Sequence, residues 1–170
     1  MPLNRDRSYD LHLGNCHQCQ PNLTFVDVRV DLDRVPLMNL HRSTEIFFID
    51  SRRDGIEQIT EILSDHAQVQ SLQLIGAEND NVGSLKLGLS QLNLYTLEAY
   101  LDDLSQWRST LSTPSAIVLY GCLVTVESVF NHFLQQLAGI TGADIGAFVS
   151  TPDAGTSSYS SSSLRMAWQA

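Results

Sequence analysis

The chain has 170 residues, of which 43% are hydrophobic and 17% charged, and its formal net charge is −9. This length suits one domain with its own core. The acidity opposes binding to a phosphate backbone, because Lys86 is the only lysine and Arg52-Arg53 the only adjacent pair of basic residues. We therefore expect no nucleic-acid partner.

Membrane and export signals are missing from the sequence as given. No apolar run approaches the roughly 20 residues that cross a bilayer. The N-terminus lacks the apolar segment of a signal peptide. We expect a soluble protein with no membrane span, and a cytoplasmic location is favoured over the cell surface. The pattern of residues does not indicate an oligomeric state.

Residues 1–22 are polar, rich in turn residues and without periodicity, so they predict an irregular arm before an α/β domain over residues 23–170. The arm contains "CHQC", in which Cys16 and Cys19, with His17 between them, have the spacing of a redox pair or half a zinc site. A structural zinc site needs four ligands. Metal binding, redox chemistry and a plain N-terminal segment therefore all stay open for this motif.

The first half of the domain predicts strands joined by a helix and loops. Alternating or continuous apolar runs, typical of strands, occur at 23–30, 45–50, 71–76 and 84–88. Asp54 as N-cap, with Glu57 three residues later, predicts the start of a helix. Its apolar face comprises Ile56, Ile59, Ile62, Leu63 and His66. Pro36 interrupts 31–41, which predicts a loop or short helical turn, and the polar residues 77–83 predict another loop.

The second half predicts two helices and further strands. Asn93 is the expected cap of a helix with a leucine stripe from Leu94 to Leu111, ended by 113–115. A strand follows at 116–122, then a helix at 126–137 that Gly139 and Gly142 are expected to stop. The remaining predictions are a strand at 143–150, a mobile low-complexity loop at 151–163 and a last strand at 164–170.

Strands alternate with helices from residue 45 to residue 150. This order predicts an α/β domain with a mostly parallel sheet covered by helices on both faces. Ligand sites in such sheets lie beyond the carboxyl ends of the strands. The loop at 76–83 and the turn at Gly121-Cys122 are therefore the places to look for function.

Cys122 follows the strand "AIVLYG", where a thiol is well placed for nucleophilic attack. Such a nucleophile needs a general base and hydrogen-bond donors for an oxyanion. The neighbouring strand ends in Gly76-Ala77-Glu78, a turn without histidine, and His66 lies at the end of a helix. The sequence thus has a cysteine where a nucleophile would stand, but no histidine where the general base would be expected. Cysteine is also among the residues most often buried, so a small core filler is the competing interpretation.

The sequence resembles an uncharacterised bacterial domain, common in cyanobacteria, that often stands at the N-terminal end of very large cell-surface repeat proteins. The segments that carry this resemblance are "TFVDVRV" (24–30), "EIFFIDSRRDGIEQITEIL" (45–63), "GSLKLGLSQLNLYTLEAYLDDLSQW" (83–107), "AIVLYGC" (116–122) and "FLQQLAGITGADIGA" (133–147). The resemblance implies a three-layer, caspase-like (gingipain-like) fold. It also implies a Ser-His-Gly turn where Gly76-Ala77-Glu78 stands here, and a cysteine that Cys122 matches.

We therefore expect a non-catalytic pseudo-peptidase that acts as an interaction or assembly module with protein partners and no cofactor. One alternative is a cysteine hydrolase or autoprocessing domain in which Cys122 takes its base from His66 or from a partner chain. A further alternative is a domain that binds a metal or small ligand through "CHQC" or the crevice at the strand ends.

Overall fold

A six-stranded sheet organises the computed structural model, which describes residues 20–34, 44–151 and 155–160. In chain order the strands and α-helices are β1 (Asn22–Asp27), β2 (Thr44–Ile49), α1 (Gly55–Leu63), β3 (Val69–Ile75), β4 (Leu85–Leu87), β5 (Ser90–Leu92), α2 (Leu101–Thr110), β6 (Leu111–Leu123), α3 (Glu127–Thr141), β7 (Asp144–Thr151) and β8 (Gly155–Ser160). The sheet order is β2-β1-β3-β6-β7-β8, and β4 and β5 form a separate hairpin. All neighbours in the large sheet are parallel except β7 and β8.

The three α-helices pack side by side on one face of this sheet. Trp107 Nε1 of α2 donates to Thr60 Oγ1 of α1 at 2.9 Å, and Arg108 Nη1 of α2 donates to Gly139 O of α3 at 3.3 Å. A common face is expected, because each of these right-handed crossovers steps across the sheet in the same direction. Beneath the helices lie two rows of buried side chains at matching register. The rows are Leu23, Leu72, Ile117 and Ile145, then Phe25, Leu74, Leu119 and Ala147.

The opposite face of the sheet is also covered over its central strands. Thr24 and Val26 of β1, Ile75 of β3 and Val118 of β6 point to this side and are buried. The predicted α/β class with a mostly parallel sheet is therefore confirmed, and burial on both faces is consistent with a three-layer fold. Every helix in the described ranges is too short or too polar to span a bilayer.

Helix ends follow the local chemistry of the sequence. Asp54 Oδ1 accepts the Glu57 N–H at 2.9 Å, so the predicted cap of α1 is confirmed. Gly142 ends α3 in the left-handed conformation, with a φ of +72°. The prediction that Gly139 also stops this helix was wrong, because Gly139 lies inside α3.

The predicted helix from Asn93 to Leu111 has different ends in the structure. Asn93 Oδ1 does accept the N–H groups of Tyr95 and Thr96, but a 3-10 helix (Leu97–Tyr100) follows, and α2 starts at Leu101. Leu111 starts β6 opposite Val69, so residues 113–115 belong to a strand instead of ending a helix. Leu111 continues the heptad spacing from Leu104, but pairing with β3 overrides that local pattern.

Two strands of the structure, β5 and β8, were not predicted from the sequence. The structure places β8 at Gly155–Ser160, within the segment predicted as a mobile loop. Residues of this strand pair with β7, which supplies the hydrogen-bond partners that composition alone does not show. Strand β5 was missed, because Ser90–Leu92 contains a single apolar residue and so lacks the apolar–polar alternation that indicated the equally short β4. The strand predicted at 164–170, and most of the arm predicted at 1–22, lie outside the described residues.

A buried carboxylate fixes the β4–β5 hairpin to the carboxyl end of β1. Asp27 accepts the Gly88 N–H of the hairpin turn at 2.7 Å and three N–H groups of Arg29 at 2.7–2.9 Å. Arg29 Nη2 also donates to Gly88 O at 2.8 Å. Gly88 has a φ of +58°, and an added Cβ would lie 2.2 Å from Arg53 O. Only glycine therefore fits where the turn meets the chain before α1.

The same Asp-x-Arg turn follows β2, but there it is exposed. Asp50 accepts the Arg52 N–H groups at 2.9–3.1 Å and holds no part of the hairpin through its side chain. Burial by itself would raise the pKa of Asp27, but the hydrogen bonds from Arg29 and from Gly88 outweigh it and keep that pKa below its ordinary value. Asp27 and Asp50 make the same contacts with an arginine two residues later, but only Asp27 is buried and bonded to the hairpin, so Asp50 is a suitable control for Asp27.

We expect Asp27→Asn to lower the free energy of unfolding by roughly 2–3 kcal/mol at pH 7, because buried donors lose a charged acceptor. Asp50→Asn should change it little, since exposed ion pairs contribute little. Because the pKa of Asp27 is depressed, its contribution is present above pH of about 4 and is lost as the pH falls further. Urea unfolding of the three proteins checks this, and equal effects of the two substitutions would contradict it.

Candidate functional site

The carboxyl end of β6 contains a one-residue bulge at Gly121. Tyr120 pairs with Phe148 and Cys122 with Val149, so Gly121 is the extra residue between two consecutive partners on β7. Gly121 has a φ of +101°, and an added Cβ would lie 2.6 Å from Gly76 O. Backbone conformation and the close approach of β3 both require glycine here.

The bulge decides which way Cys122 points. Side chains alternate between the faces of a strand, so without an extra residue Cys122 would share the face of Tyr120. With the bulge it enters the helix-covered core, where it is 1% exposed. Burial raises the pKa of the Cys122 thiol to about 12. The group that sequence predicted as a candidate nucleophile is a protonated thiol in an apolar environment at neutral pH.

The predicted turn after β3 does lie beside the end of β6. Gly76 N donates to Tyr120 O at 2.9 Å, and Gly76 packs against Gly121. Ala77 is buried, and its N–H donates to Lys86 O at 2.9 Å, which ties the turn to β4. Glu78 is exposed. The predicted turn and the predicted cysteine strand end are therefore neighbours, and the contacts between them are made by backbone atoms.

The histidines in the described ranges lie away from Cys122. His66 Nδ1 is 2.8 Å from Ile62 O, and His66 Nε2 is 3.7 Å from Glu45 Oε2 at the amino end of β2. Strand β2 stands three strands from β6, which corresponds to roughly 14 Å across the sheet. His132 is exposed on α3, where its Nε2 is 3.2 Å from Gln136 Nε2. A general base must come within hydrogen-bond reach, which this position of His66 does not allow.

Ser90 occupies the N-terminus of α1, at the crevice where ligands bind in many parallel sheets. Its Oγ accepts the Gly55 N–H at 2.8 Å and the Ile56 N–H at 3.3 Å. Sequence reasoning missed this contact and the Asp27–Gly88 contact. The Asp-x-Arg repeat after β1 and β2 was a visible signal, but its partners in the hairpin are distant in sequence.

The predicted metal ligands Cys16, His17 and Cys19 lie outside the described residues. In the part of the chain that the structure does describe, no three histidine, cysteine, aspartate or glutamate side chains group in a way that could hold a metal ion. The "CHQC" hypothesis therefore stays a prediction.

Replacing Cys122 should change how stability depends on pH. In the unfolded chain the thiol ionises near pH of about 8.5, whereas in the fold it stays protonated to a much higher pH. Between those values the unfolded state alone loses the proton, so wild type should lose about 1.4 kcal/mol per pH unit relative to Cys122→Ala. Parallel unfolding of both proteins at pH 8 and about pH 10 checks this. A constant difference between them would contradict a buried, protonated thiol.

Comparison with known proteins places the domain in a family. Residues 23–161, most of the chain, match the family described as "Domain of unknown function (DUF4347)". No curated protein and no solved structure matches the sequence. The chain belongs to this family of domains of unknown function, and the match includes the sheet, the hairpin and Cys122.

Proposed function

We propose that this domain is a non-catalytic interaction or assembly module, a pseudo-peptidase that serves as a structural component of a larger protein complex. The observation that carries the proposal is the direction of the Cys122 side chain, which the Gly121 bulge turns into the core. A nucleophile must present its sulfur to a substrate carbonyl, and a thiol that is 1% exposed cannot do so without local unfolding.

The surroundings of the thiol also lack the groups that would activate it. Its pKa is raised instead of lowered, whereas catalytic cysteines have depressed pKa values. His66 and His132 are held elsewhere by the contacts described above. These features support a fold in which the position of the nucleophile is retained as part of the core.

The crevice at the strand ends is filled by the chain itself. Asp27 holds the hairpin turn at the end of β1, and Ser90 Oγ takes the N–H groups at the start of α1 that could otherwise bind an anion. This arrangement argues against a small-ligand site at this edge. The net charge of −9 favours basic protein surfaces as partners. We also propose that the fold is caspase-like (gingipain-like), which the mostly parallel sheet and the cysteine at the end of β6 support.

The proposal is tested by isolating the tagged native protein and its partners from cells that carry either wild type or Cys122→Ala. We expect the same partners at the same stoichiometry in both, because the thiol only fills space. Val149→Ala removes a similarly buried side chain from the sheet neighbour of Cys122. It therefore controls for general damage to the core.

A cysteine hydrolase or autoprocessing domain predicts a different pattern. An electrophilic peptide probe would then label Cys122 in the native wild-type protein. Cleavage products or partners would be lost in Cys122→Ala and kept in Val149→Ala. Either result would overturn the non-catalytic proposal.

A further inference from the structure

Strand β2 is an edge strand of the sheet formed by the described residues. The Val28 N–H donates to Ile49 O at 3.1 Å, so the odd-numbered residues of β2 direct their backbone groups toward β1. The backbone N–H and C=O groups of Thr44, Ile46 and Phe48 therefore point away from β1, toward the outer side of the sheet. Within the described ranges no strand pairs with this outer edge.

The same edge presents an apolar surface. Ile46 is 46% exposed and Phe48 58% exposed, and they project from the sheet face opposite the helices. Val28, just after β1, is 52% exposed. Protein edges are normally protected by charged side chains, especially lysine, by proline, by bulges or by a covering segment. Over Thr44–Ile49 this strand has no lysine, proline or bulge, its register with β1 is unbroken, and its one charged residue, Glu45, alternates with Ile46 and Phe48 and so lies on the opposite face of the strand.

We propose that β2 pairs antiparallel with β2 of a second copy of this chain, about a two-fold axis at Phe47, to form one continuous sheet. The inference rests on the proposed function and names a partner in addition to the basic surfaces that the net charge favours, because this contact is made by backbone groups and apolar side chains. A two-fold contact is self-complementary: where residue i of one copy meets residue j of the other, residue j also meets residue i.

The register centred on Phe47 satisfies both the backbone and the side chains. It places Ile46 of each copy opposite Phe48 of the other. The outward-pointing backbone groups of these residues then form hydrogen-bonded pairs, and their exposed apolar side chains come into contact. Phe47 then faces its own counterpart on the helix side, at a pair that needs no hydrogen bonds.

Neighbouring registers fit less well. An axis at Ile46 places Phe48 opposite Thr44 and Glu45 opposite Phe47. An axis at Phe48 places Ile46 opposite Asp50. An axis between two residues would bring side chains of opposite faces together, which the pleat forbids.

The first test is sedimentation of the purified full chain over a range of concentrations. Pairing of two short strands is a small interface, so we expect a dimer that dissociates in the micromolar range. Phe48→Lys should weaken association at least tenfold. Leu89→Lys, at a hairpin residue that is 68% exposed, should leave it unchanged. Circular dichroism confirms that each variant is folded.

The second test fixes the register. In a Cys16→Ser, Cys19→Ser background, chains with Ile46→Cys are mixed with chains with Phe48→Cys. Opposed residues in this pair lie about 5.5 Å apart, within reach of a disulfide. We expect disulfides between the two kinds of chain and few within either kind.

Three outcomes would overturn the inference: a wild-type monomer at about 100 μM, equal weakening by Phe48→Lys and Leu89→Lys, or disulfides that form equally within each single variant. None of these would by itself overturn the proposed function, because a monomer can still assemble with other proteins. Loss of the native complex in Cys122→Ala alone would overturn the proposed function without bearing on β2.

Discussion

The close contact between Gly121 and Gly76 accompanies the bulge that determines the direction of the Cys122 side chain. The two glycines allow the ends of β6 and β3 to approach so closely that a single Cβ on Gly121 would lie 2.6 Å from Gly76 O. The bulge formed there reverses the direction of the next side chain and places Cys122 under the helices. One backbone irregularity thus separates a thiol at the rim of a crevice from a thiol in the core.

The edge of the sheet around that contact is closed by polar groups of the chain. Asp27, Arg29 and Gly88 connect β1 to the hairpin, and Ser90 connects the hairpin to α1. Buried polar groups are normally hydrogen-bonded, and the Gly88, Arg29 and Gly55 donors at this edge follow that rule. The backbone N–H groups of Gly88 and Gly55, at the carboxyl end of the parallel strands, are thus bonded within the chain.

Much of the fold could be predicted from the sequence because, in many segments, the local residue pattern favours the same helix or strand that tertiary packing requires. The continuous apolar run of β2 and the Asp54 cap of α1 are examples. What it could not predict depends on pairs distant along the chain. Asp27 meets Gly88 across 61 residues, and the bulge at Gly121 exists only relative to β7. Serine-rich β8 carries little hydrophobic signal and forms because β7 offers an edge. The position of the candidate site could therefore be predicted, whereas the direction of its cysteine could not.

The most direct test of this account is an NMR titration of the ¹³Cβ shift of Cys122 in the native protein, with Cys16 and Cys19 replaced by serine. If the bulge holds the thiol in the core, the shift should stay at its protonated value from pH 6 to about pH 10. A titration with a midpoint at or below about 8.5 would contradict the account. It would show a solvated or activated thiol and return the cysteine to the list of catalytic candidates.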